Sequence, residues 1–285
     1  MLEFVYRAPE KELPAPLPTI AQIEASTAIP RRFTETQVRL VKPHFVVKVG
    51  RGIKFAEGDN MLFARKHSDL IVPTLYAAFH DTDTKKNYLV MEYIHGPALS
   101  MVWNKLDKQA KDSVASQLRK GLDQLRKTPS PGHLGGLKGE NPWNRMSFGF
   151  PVTGLDGKEM KTGHDWVEVM CRTAQKENPM KEDCYKWITN IYHNLLDSTS
   201  GGDQAVFTHA DIHMENIMMR EGDNKVVLLD WEKSGFYPPY YEYLLAMCEE
   251  RWYTDWGNYV CRFLDQHPRE LFLMYHFRSW YVGVR

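Results

Sequence analysis

Residues His209 to Asn216 bring together side chains that can bind a metal ion or handle a phosphoryl group. The stretch HADIHMEN contains two histidines, Asp211, Glu215 and Asn216, and Asp230 ends the apolar stretch KVVLLD that follows. Oxygen ligands suit Mg²⁺, whereas histidines and acids together suit Zn²⁺. Three interpretations are therefore open: a zinc site, a phosphoryl-transfer site, or a polar loop without chemistry.

The zinc hypothesis rests on the H-x-D-x-H string formed by His209, Asp211 and His213. If this string were a β-strand, its alternate side chains would share one face and approach one ion. A zinc hydrolase needs further ligands, and the later His267 and His276 lie in helical patterns. The sequence therefore gives this hypothesis little support.

Phosphoryl transfer needs an acid that orients the hydroxyl nucleophile, oxygen ligands for Mg²⁺, and a lysine for the non-transferred phosphates. Asp211 and Asn216 are five residues apart, a spacing that suits an acid and a metal ligand on one loop. NIMMR and KVVLLD read as two short strands joined by the turn EGDN, so their pairing would bring Asn216 and Asp230 together. The β-branched run FVVKVG contains a suitable lysine, Lys48; on an edge strand that lysine would instead lie in water.

The segment around Lys48 predicts a small antiparallel sheet that carries one helix. TQVRLVK, HFVVKVG, TLYAAFHD and KNYLVMEYI have the composition of strands, and EGDNMLFARKHS has a helical pattern. The proline-rich residues 1–30 predict an extended arm on the surface. We therefore assign residues 1–94 to an N-terminal lobe.

Residues 95–285 predict a mostly helical second lobe. The first long helix begins after Asp107, a plausible N-cap. Its apolar residues recur at helical spacing: Val114, Leu118, Leu122 and Leu125. Five further segments have helical patterns: HDWVEVMCRTAQKEN, KEDCYKWITNIYHNLL, YYEYLLAMCEERW, WGNYVCRFLDQ and PRELFLMYHF. The fold class is thus α+β with two lobes.

Composition narrows the classes of function. The 285 residues contain 36 Lys plus Arg and 36 Asp plus Glu, and a net charge of zero argues against general nucleic-acid binding. The four cysteines form no C-x-x-C motif, which favours reduced thiols. No stretch approaches the ~18 apolar residues of a membrane span, and the N-terminus lacks the pattern of a secretory signal. We expect a cytoplasmic protein without nucleic-acid or membrane partners; its oligomeric state is not predicted.

The segment FTHADIHMENIMM, followed by KVVLLDWEKSGFYPPYYEY, resembles the catalytic region of the aminoglycoside phosphotransferase and choline kinase group. It is most similar to the fungal-type phosphotransferase family, in which Asp-Trp-Glu replaces the Asp-Phe-Gly of protein kinases. VVKVGRGIKFAEGDNMLFARKH and NYLVMEYIHGPAL resemble the N-terminal lobe of the same family, and the resemblance covers residues 45–245. It implies a bilobal protein kinase-like fold. It also implies ATP- or GTP-dependent, Mg-requiring transfer of the γ-phosphoryl group to a hydroxyl of an aminoglycoside-, choline- or sugar-like molecule.

The resemblance also implies roles for individual residues of the N-terminal lobe. Lys48 is similar to the strand lysine that contacts the nucleotide phosphates, and Glu57 to the acid that anchors this lysine, although Asp59 is a rival. MEYI resembles the hinge between the lobes, in which the carbonyl of Glu92 and the amide of Ile94 would hold the base.

In the second lobe the resemblance makes Asp211 the catalytic acid and makes Asn216 and Asp230 the Mg²⁺ ligands. His209 is expected to organise the loop. His213 and Glu215 are expected at the surface. Glu232 could approach the metal, and a solvated position is an equal alternative for it.

Two features depart from the pattern of the family. Ala210 replaces the common glycine, and no glycine-rich loop precedes Lys48. Phosphate cover would therefore come from a shorter turn or from side chains such as Arg31 or Arg32. The missing loop leaves a catalytically inactive, nucleotide-binding pseudokinase as an alternative.

The acceptor site is expected among the C-terminal helices and the long glycine-rich loop that follows the first of them. The stretch CEERWYTDW combines acids with tryptophans, which suits a cationic acceptor through charge and cation–π contact. The same pattern also fits a solvated acidic helix face with tryptophans in the core. The residues concerned are Glu249, Glu250, Trp252, Asp255 and Trp256.

Overall fold

A computed structural model describes residues 1–29, 36–139, 145–146, 150–151, 159–248 and 254–282. Its N-terminal part is one antiparallel sheet of six strands: β1 (Leu2–Arg7), β2 (Thr27–Ile29), β3 (Gln37–Val41), β4 (Phe45–Gly50), β5 (Leu75–Asp81) and β6 (Lys86–Glu92). They lie in the order β1, β5, β6, β4, β3, β2. The predicted helix follows β4 as α2 (Ala56–His67).

Successive side chains of strand β4 point alternately to an apolar cluster and to a cleft. Phe45, Val47 and Val49 face an apolar cluster on the outer side of the sheet, while Val46 and Lys48 line a cleft on the other side. Because β4 pairs with both β3 and β6, it is a central strand, and Lys48 is only 5% exposed. The edge-strand alternative for Lys48 is therefore wrong.

Residues 1–29 differ from the extended arm expected for them. They contain β1, which pairs with β5, the helix α1 (Ile20–Ala25), and β2, which pairs with β3. Between β1 and β2, apolar side chains such as Leu13, Leu17 and Ile23 pack on the outer cluster of the sheet. The prolines interrupt regular structure without detaching the chain, because this segment covers apolar surface that would otherwise face water.

The rest of the described chain is mainly helical. Its helices are α3 (Leu99–Val102), α4 (Lys108–Arg126), α5 (Gly163–Glu177), α6 (Glu182–Ser200), α7 (Tyr241–Cys248), α8 (Trp256–Phe263) and α9 (Pro268–Val282). Asp107 caps α4 by accepting a hydrogen bond from the amide of Ala110, and the four apolar positions predicted for its inner face are all buried. None of the helices in the described residues is long and apolar enough to cross a membrane. The two-lobed α+β architecture expected from the sequence is confirmed.

Short strands in the second lobe frame the motif residues. Besides β7 (Arg145–Met146) and β8 (Phe150–Pro151), they are β9 (Val206–Thr208), β10 (Ile217–Met219), β11 (Val226–Leu228) and β12 (Gly235–Tyr237). The predicted hairpin is present as the pair β10 and β11, and β9 pairs with β12. The loop from His209 to Asn216 therefore begins and ends at paired strands, which fixes both of its ends.

Candidate active site

Lys48 and Glu57 form a buried ion pair, with 2.6 Å between Nζ and Oε1. Glu57 lies in the first turn of α2 and is only 2% exposed. Its burial raises its pKa, and the neighbouring Lys48 ammonium opposes that rise. The rival Asp59 instead pairs with Lys138, with 2.7 Å between Oδ2 and Nζ. The structure therefore brings Lys48 together with Glu57 and not with Asp59.

Asp230 completes this cluster from the other lobe. Its Oδ1 lies 2.6 Å from the Nζ of Lys48, and its backbone has a left-handed φ of 63°. The turn that follows is fixed to α2, because the Asn60 amide donates to the carbonyls of Trp231 and Ser234 at 2.8 and 3.1 Å. One ligand oxygen from each of three carboxylates, those of Glu57, Asp230 and Glu232, lies within 4.8 Å of the others. This arrangement suits a divalent cation with oxygen ligands.

Asp211 is held at both carboxylate oxygens. Asn216 donates from Nδ2 to Oδ2 at 3.1 Å and to the backbone carbonyl of Asp211 at 3.0 Å. Lys233 donates from Nζ to Oδ1 at 2.8 Å. Because the Nδ2 of Asn216 faces Asp211, its side-chain oxygen is the atom available to a metal in the cleft. The sequence motifs did not predict Lys233 as a partner of Asp211. The sequence indicated only that a cationic residue follows Asp230 by three positions.

His209 is buried and acts on the loop itself. Its Nε2 lies 2.8 Å from the carbonyl of Leu229, while Nδ1 accepts the amide of Asp211 at 3.2 Å, so Nε2 carries the proton. Burial lowers its pKa to about 4, and its ring packs edge-on against Trp231. Both ring nitrogens are thus engaged by backbone groups. This excludes the His209, Asp211 and His213 zinc site and agrees with the expected organising role.

Glu242 on α7 binds the backbone of the same loop, and the sequence motifs did not predict this role. It is 1% exposed and accepts the backbone amides of His209 at 2.6 Å and Ala210 at 3.0 Å. Ala210 has a left-handed φ of 65°, a conformation that glycine adopts more easily. Burial raises the pKa of Glu242 to about 7, against the effect of these hydrogen bonds. An acid inside the apolar stretch YYEYLLAM was the available signal, because buried acids need partners.

A cleft of about 350 Å³ runs between the sheet and the motif loop. The charged and polar residues Lys48, Glu57, Asn216 and Asp230 line one part of it. The remaining wall is largely apolar and includes Val38, Leu40, Val46, Met91, Met218 and Leu229. An apolar slot that ends in cationic and metal-binding groups fits a flat base carrying phosphates.

The predicted hinge also borders this cleft. Residues 91–94 line it, with Ile94 buried. The Glu92 carboxylate accepts the amide and the hydroxyl of Thr74 at 3.0 and 2.9 Å. Any contact of Glu92 with a ligand would therefore come from its backbone, which is the contact expected from the sequence.

The acceptor residues suggested in CEERWYTDW are only partly described. Glu249, Glu250 and Trp252 lie outside the described residues. The same holds for Arg31 and Arg32, which were suggested for phosphate cover. Asp255 accepts hydrogen bonds from Trp103 Nε1 at 2.7 Å and Lys111 Nζ at 2.9 Å, and Trp256 is 2% exposed in the core. Because Asp255 and Trp256 are used within the protein, this pair does not form a pocket for a cationic acceptor.

Sequence comparison gives the family. The model described as "Phosphotransferase enzyme family" matches residues 27–280, which is most of the chain and includes every residue of the candidate site. The chain belongs to the phosphotransferase enzyme family. None of the curated protein sequences is similar enough to this phosphotransferase family member to count as a match.

Solved structures show the same fold. The chain is 15% identical to APH(2")-IIa in its ternary complex with streptomycin and ATP, with a TM-score of 0.58 over 93% of this chain and 88% of that chain. It is 15% identical to APH(2")-IIia in complex with GDP and kanamycin, with a TM-score of 0.53 over 91% and 83%. It is 14% identical to a thermostable mutant of aminoglycoside phosphotransferase APH(4)-Ia in complex with ADP and hygromycin B, with a TM-score of 0.52 over 90% of this chain and 90% of that chain. At these identities the likeness establishes the kinase-like fold of this family member and not its acceptor.

Proposed function

We propose that this protein is an ATP-dependent, Mg-requiring phosphotransferase that moves the γ-phosphoryl group to a hydroxyl of a small molecule. One observation carries the proposal. The cleft that ends at Lys48, Asn216 and Asp230 lies beside Asp211, whose carboxylate is held by its neighbours. Phosphoryl transfer depends mainly on positioning and charge stabilisation, and this cluster provides groups for both.

Each group has a distinct part in the proposed reaction. Glu57 keeps the Lys48 ammonium in place for the non-transferred phosphates, and the backbone at Glu92 and Ile94 holds the base. Asn216 and Asp230 hold Mg²⁺, which would neutralise charge on the phosphates. Asp211 orients the acceptor hydroxyl and takes its proton late, because the transition state is loose.

The contact between Lys48 and Asp230 suggests how the site exchanges partners. The Nζ of Lys48 lies 2.6 Å from an oxygen of Asp230 and 2.6 Å from an oxygen of Glu57. With Mg-nucleotide bound, a phosphate would take over the lysine and the metal would take over the aspartate. Lys48 would keep Glu57 as a partner, and Asp230 would exchange the ammonium for the metal, so neither charge would be left unpaired.

Thermal unfolding with ATP or GTP, each with and without Mg²⁺, tests the nucleotide site. A ligand at a hundredfold excess over its Kd stabilises the native state by about 2.7 kcal/mol. We expect such stabilisation with Mg²⁺, and we expect Asp230→Ala to lose its metal-dependent part. Asp223→Ala, at the hairpin turn where Asp223 pairs with Arg220, is the matched control. An unchanged Mg²⁺ response in Asp230→Ala would contradict the ligand role of Asp230.

Turnover separates the enzyme from a nucleotide-binding pseudokinase. Purified protein would be incubated with labelled ATP and a panel of acceptors that contains aminoglycosides, choline and sugars. Phosphorylation of any member would establish the transferase reaction and give the acceptor class. Nucleotide binding without transfer to any acceptor or release of phosphate would favour the pseudokinase.

Lys233 is expected to position Asp211. Lys233→Met removes the hydrogen bond to Asp211 Oδ1, so we expect kcat to fall about 10- to 100-fold with the KM for nucleotide nearly unchanged. Lys233→Arg should recover part of the rate, because a guanidinium can donate to the same oxygen. Steady-state kinetics with Lys225→Met, an exposed lysine of the hairpin, provides the control. A rise in KM with unchanged kcat would instead indicate that Lys233 binds substrate.

A further inference from the structure

Two histidines from different helices lie beside the same carboxylate, and none of the three residues lines the cleft. His164 lies in the first turn of α5, and His193 and Asp197 lie one turn apart in α6. The Nδ1 of His193 is 2.9 Å from Asp197 Oδ1, and the Nδ1 of His164 is 3.4 Å from Oδ2. The two imidazole rings are stacked, with centroids 4.0 Å apart and an interplanar angle of 16°.

The start of α5 is fixed against α6 at this point. Thr162 and Asp165 form a capping box that sets the first residue of α5. A Cβ added to Gly163 would lie 2.0 Å from the backbone carbonyl of Asp197, so only glycine allows this approach of the two helices. The position of His164 above Asp197 therefore follows from backbone packing and not from a chance rotamer at the surface.

A second carboxylate lies near one of the rings. Glu168, one turn after His164 on α5, places Oε2 3.5 Å from the Nε2 of His193. Histidine ligands of metals commonly donate their other ring N–H to a carboxylate, which fixes the tautomer and leaves the first nitrogen for the ion. With Glu168 as that acceptor, the Nδ1 of His193 is the nitrogen presented to Asp197 and to any ion beside it.

We propose that His164, His193 and Asp197 bind a Zn²⁺ ion that links the start of α5 to the end of α6. Ligand atoms at about 2.05 Å in a tetrahedral zinc site lie about 3.3 Å apart. The two N···O distances, 2.9 Å to Oδ1 and 3.4 Å to Oδ2, end on different oxygens of Asp197. One ligand atom from each of the three residues lies within 4.8 Å of the others. Rotation of the exposed His164 side chain would bring its nitrogen to the ion.

The donor set favours zinc over the hard cations. Two imidazoles and one carboxylate suit Zn²⁺, whereas Mg²⁺ and Ca²⁺ prefer oxygen ligands alone. The carboxylate of Asp197 offsets part of the charge of the ion, whereas Glu168 is already paired with Arg172. Because the His164 side chain is 64% exposed, a water molecule can reach the fourth position.

Isothermal titration of the full chain with Zn²⁺, and visible absorption after titration with Co²⁺, test this site. We expect one tight site per chain with the spectrum of a tetrahedral Co²⁺ centre. His164→Ala and His193→Ala should each weaken binding more than tenfold, and Glu168→Gln should weaken it about 10- to 100-fold. His44→Ala, which removes an exposed histidine elsewhere, should leave it unchanged.

The candidate active site also contains carboxylates, so the titrations are repeated in Asp230→Ala. One site that persists in Asp230→Ala and disappears in His164→Ala supports the proposal. One site that disappears in Asp230→Ala and persists in both histidine variants overturns it, as does the absence of any stoichiometric binding. Zinc should also raise the unfolding temperature of the unmodified chain and not that of His193→Ala.

Discussion

Replacing Asp211 by asparagine is expected to lower kcat by about 100- to 10,000-fold while nucleotide affinity stays nearly unchanged. The substitution preserves the shape of the side chain but removes the charge that would orient and deprotonate the acceptor hydroxyl. Asn216 and Asp230, which we assign to Mg²⁺, remain in place. Steady-state kinetics and nucleotide titration of the same preparation measure the two quantities.

The size of this effect separates Asp211 from its neighbours. Asp223→Asn, which changes an acid in the exposed hairpin turn, should leave both quantities within experimental error. A parallel loss of nucleotide affinity and rate in Asp211→Asn would mean that Asp211 supports binding rather than the transfer step. Restored activity in Asp211→Glu would show that a carboxylate at this position suffices despite its longer side chain.

Glu242→Ala is expected to destabilise the protein by about 2–6 kcal/mol, because it leaves two buried backbone amides without an acceptor at about 1–3 kcal/mol each. These amides belong to His209 and Ala210, and Ala210 is already in a left-handed conformation. Protein that remains folded should also transfer slowly, because the backbone preceding Asp211 loses its support. Denaturant unfolding measures the stability, and Glu182→Ala on the exposed face of α6 is the control.

The pH dependence of the free energy of unfolding tests the same residue without removing its side chain. In the folded protein the pKa of Glu242 is raised to about 7, above its ordinary value of 4.5. Between these values the native state binds more protons than the unfolded state, so rising pH costs stability. The unmodified protein should therefore lose up to about 3 kcal/mol relative to Glu242→Gln as the pH rises from 4.5 to 7. A difference that does not change with pH would mean that Glu242 is ionised throughout this range.

The sequence predicted those parts of the site in which residue type and spacing are sufficient. The spacing of Asp211 and Asn216 predicted that they lie on one loop, where they form a hydrogen bond. The pairing of Lys48 with Glu57 was implied by the family resemblance, with Asp59 as a rival. The hairpin signal correctly placed Asn216 near Asp230. The contact between Asp211 and Asn216 is local in sequence, and the approach of Asn216 to Asp230 follows from strand pairing.

The contacts that were missed depend on how distant elements pack. Glu242 follows His209 by 33 residues, and its partners are backbone amides that have no residue-type signature. Lys233 is close to Asp230 in sequence, but its direction toward Asp211 depends on the turn after Asp230. The N-terminal strand was misread because nearby prolines suggested an arm, although β5 offered an open edge for pairing.

Helix α2 belongs to both lobes at once, because Asn60 holds the turn after Asp230 while Glu57 holds the sheet lysine. Swinging this helix outward would break both attachments and leave buried polar groups unpaired. Helix α2 therefore connects the Lys48 side of the cleft to its Asp230 side, and we expect the two sides to move together rather than separately.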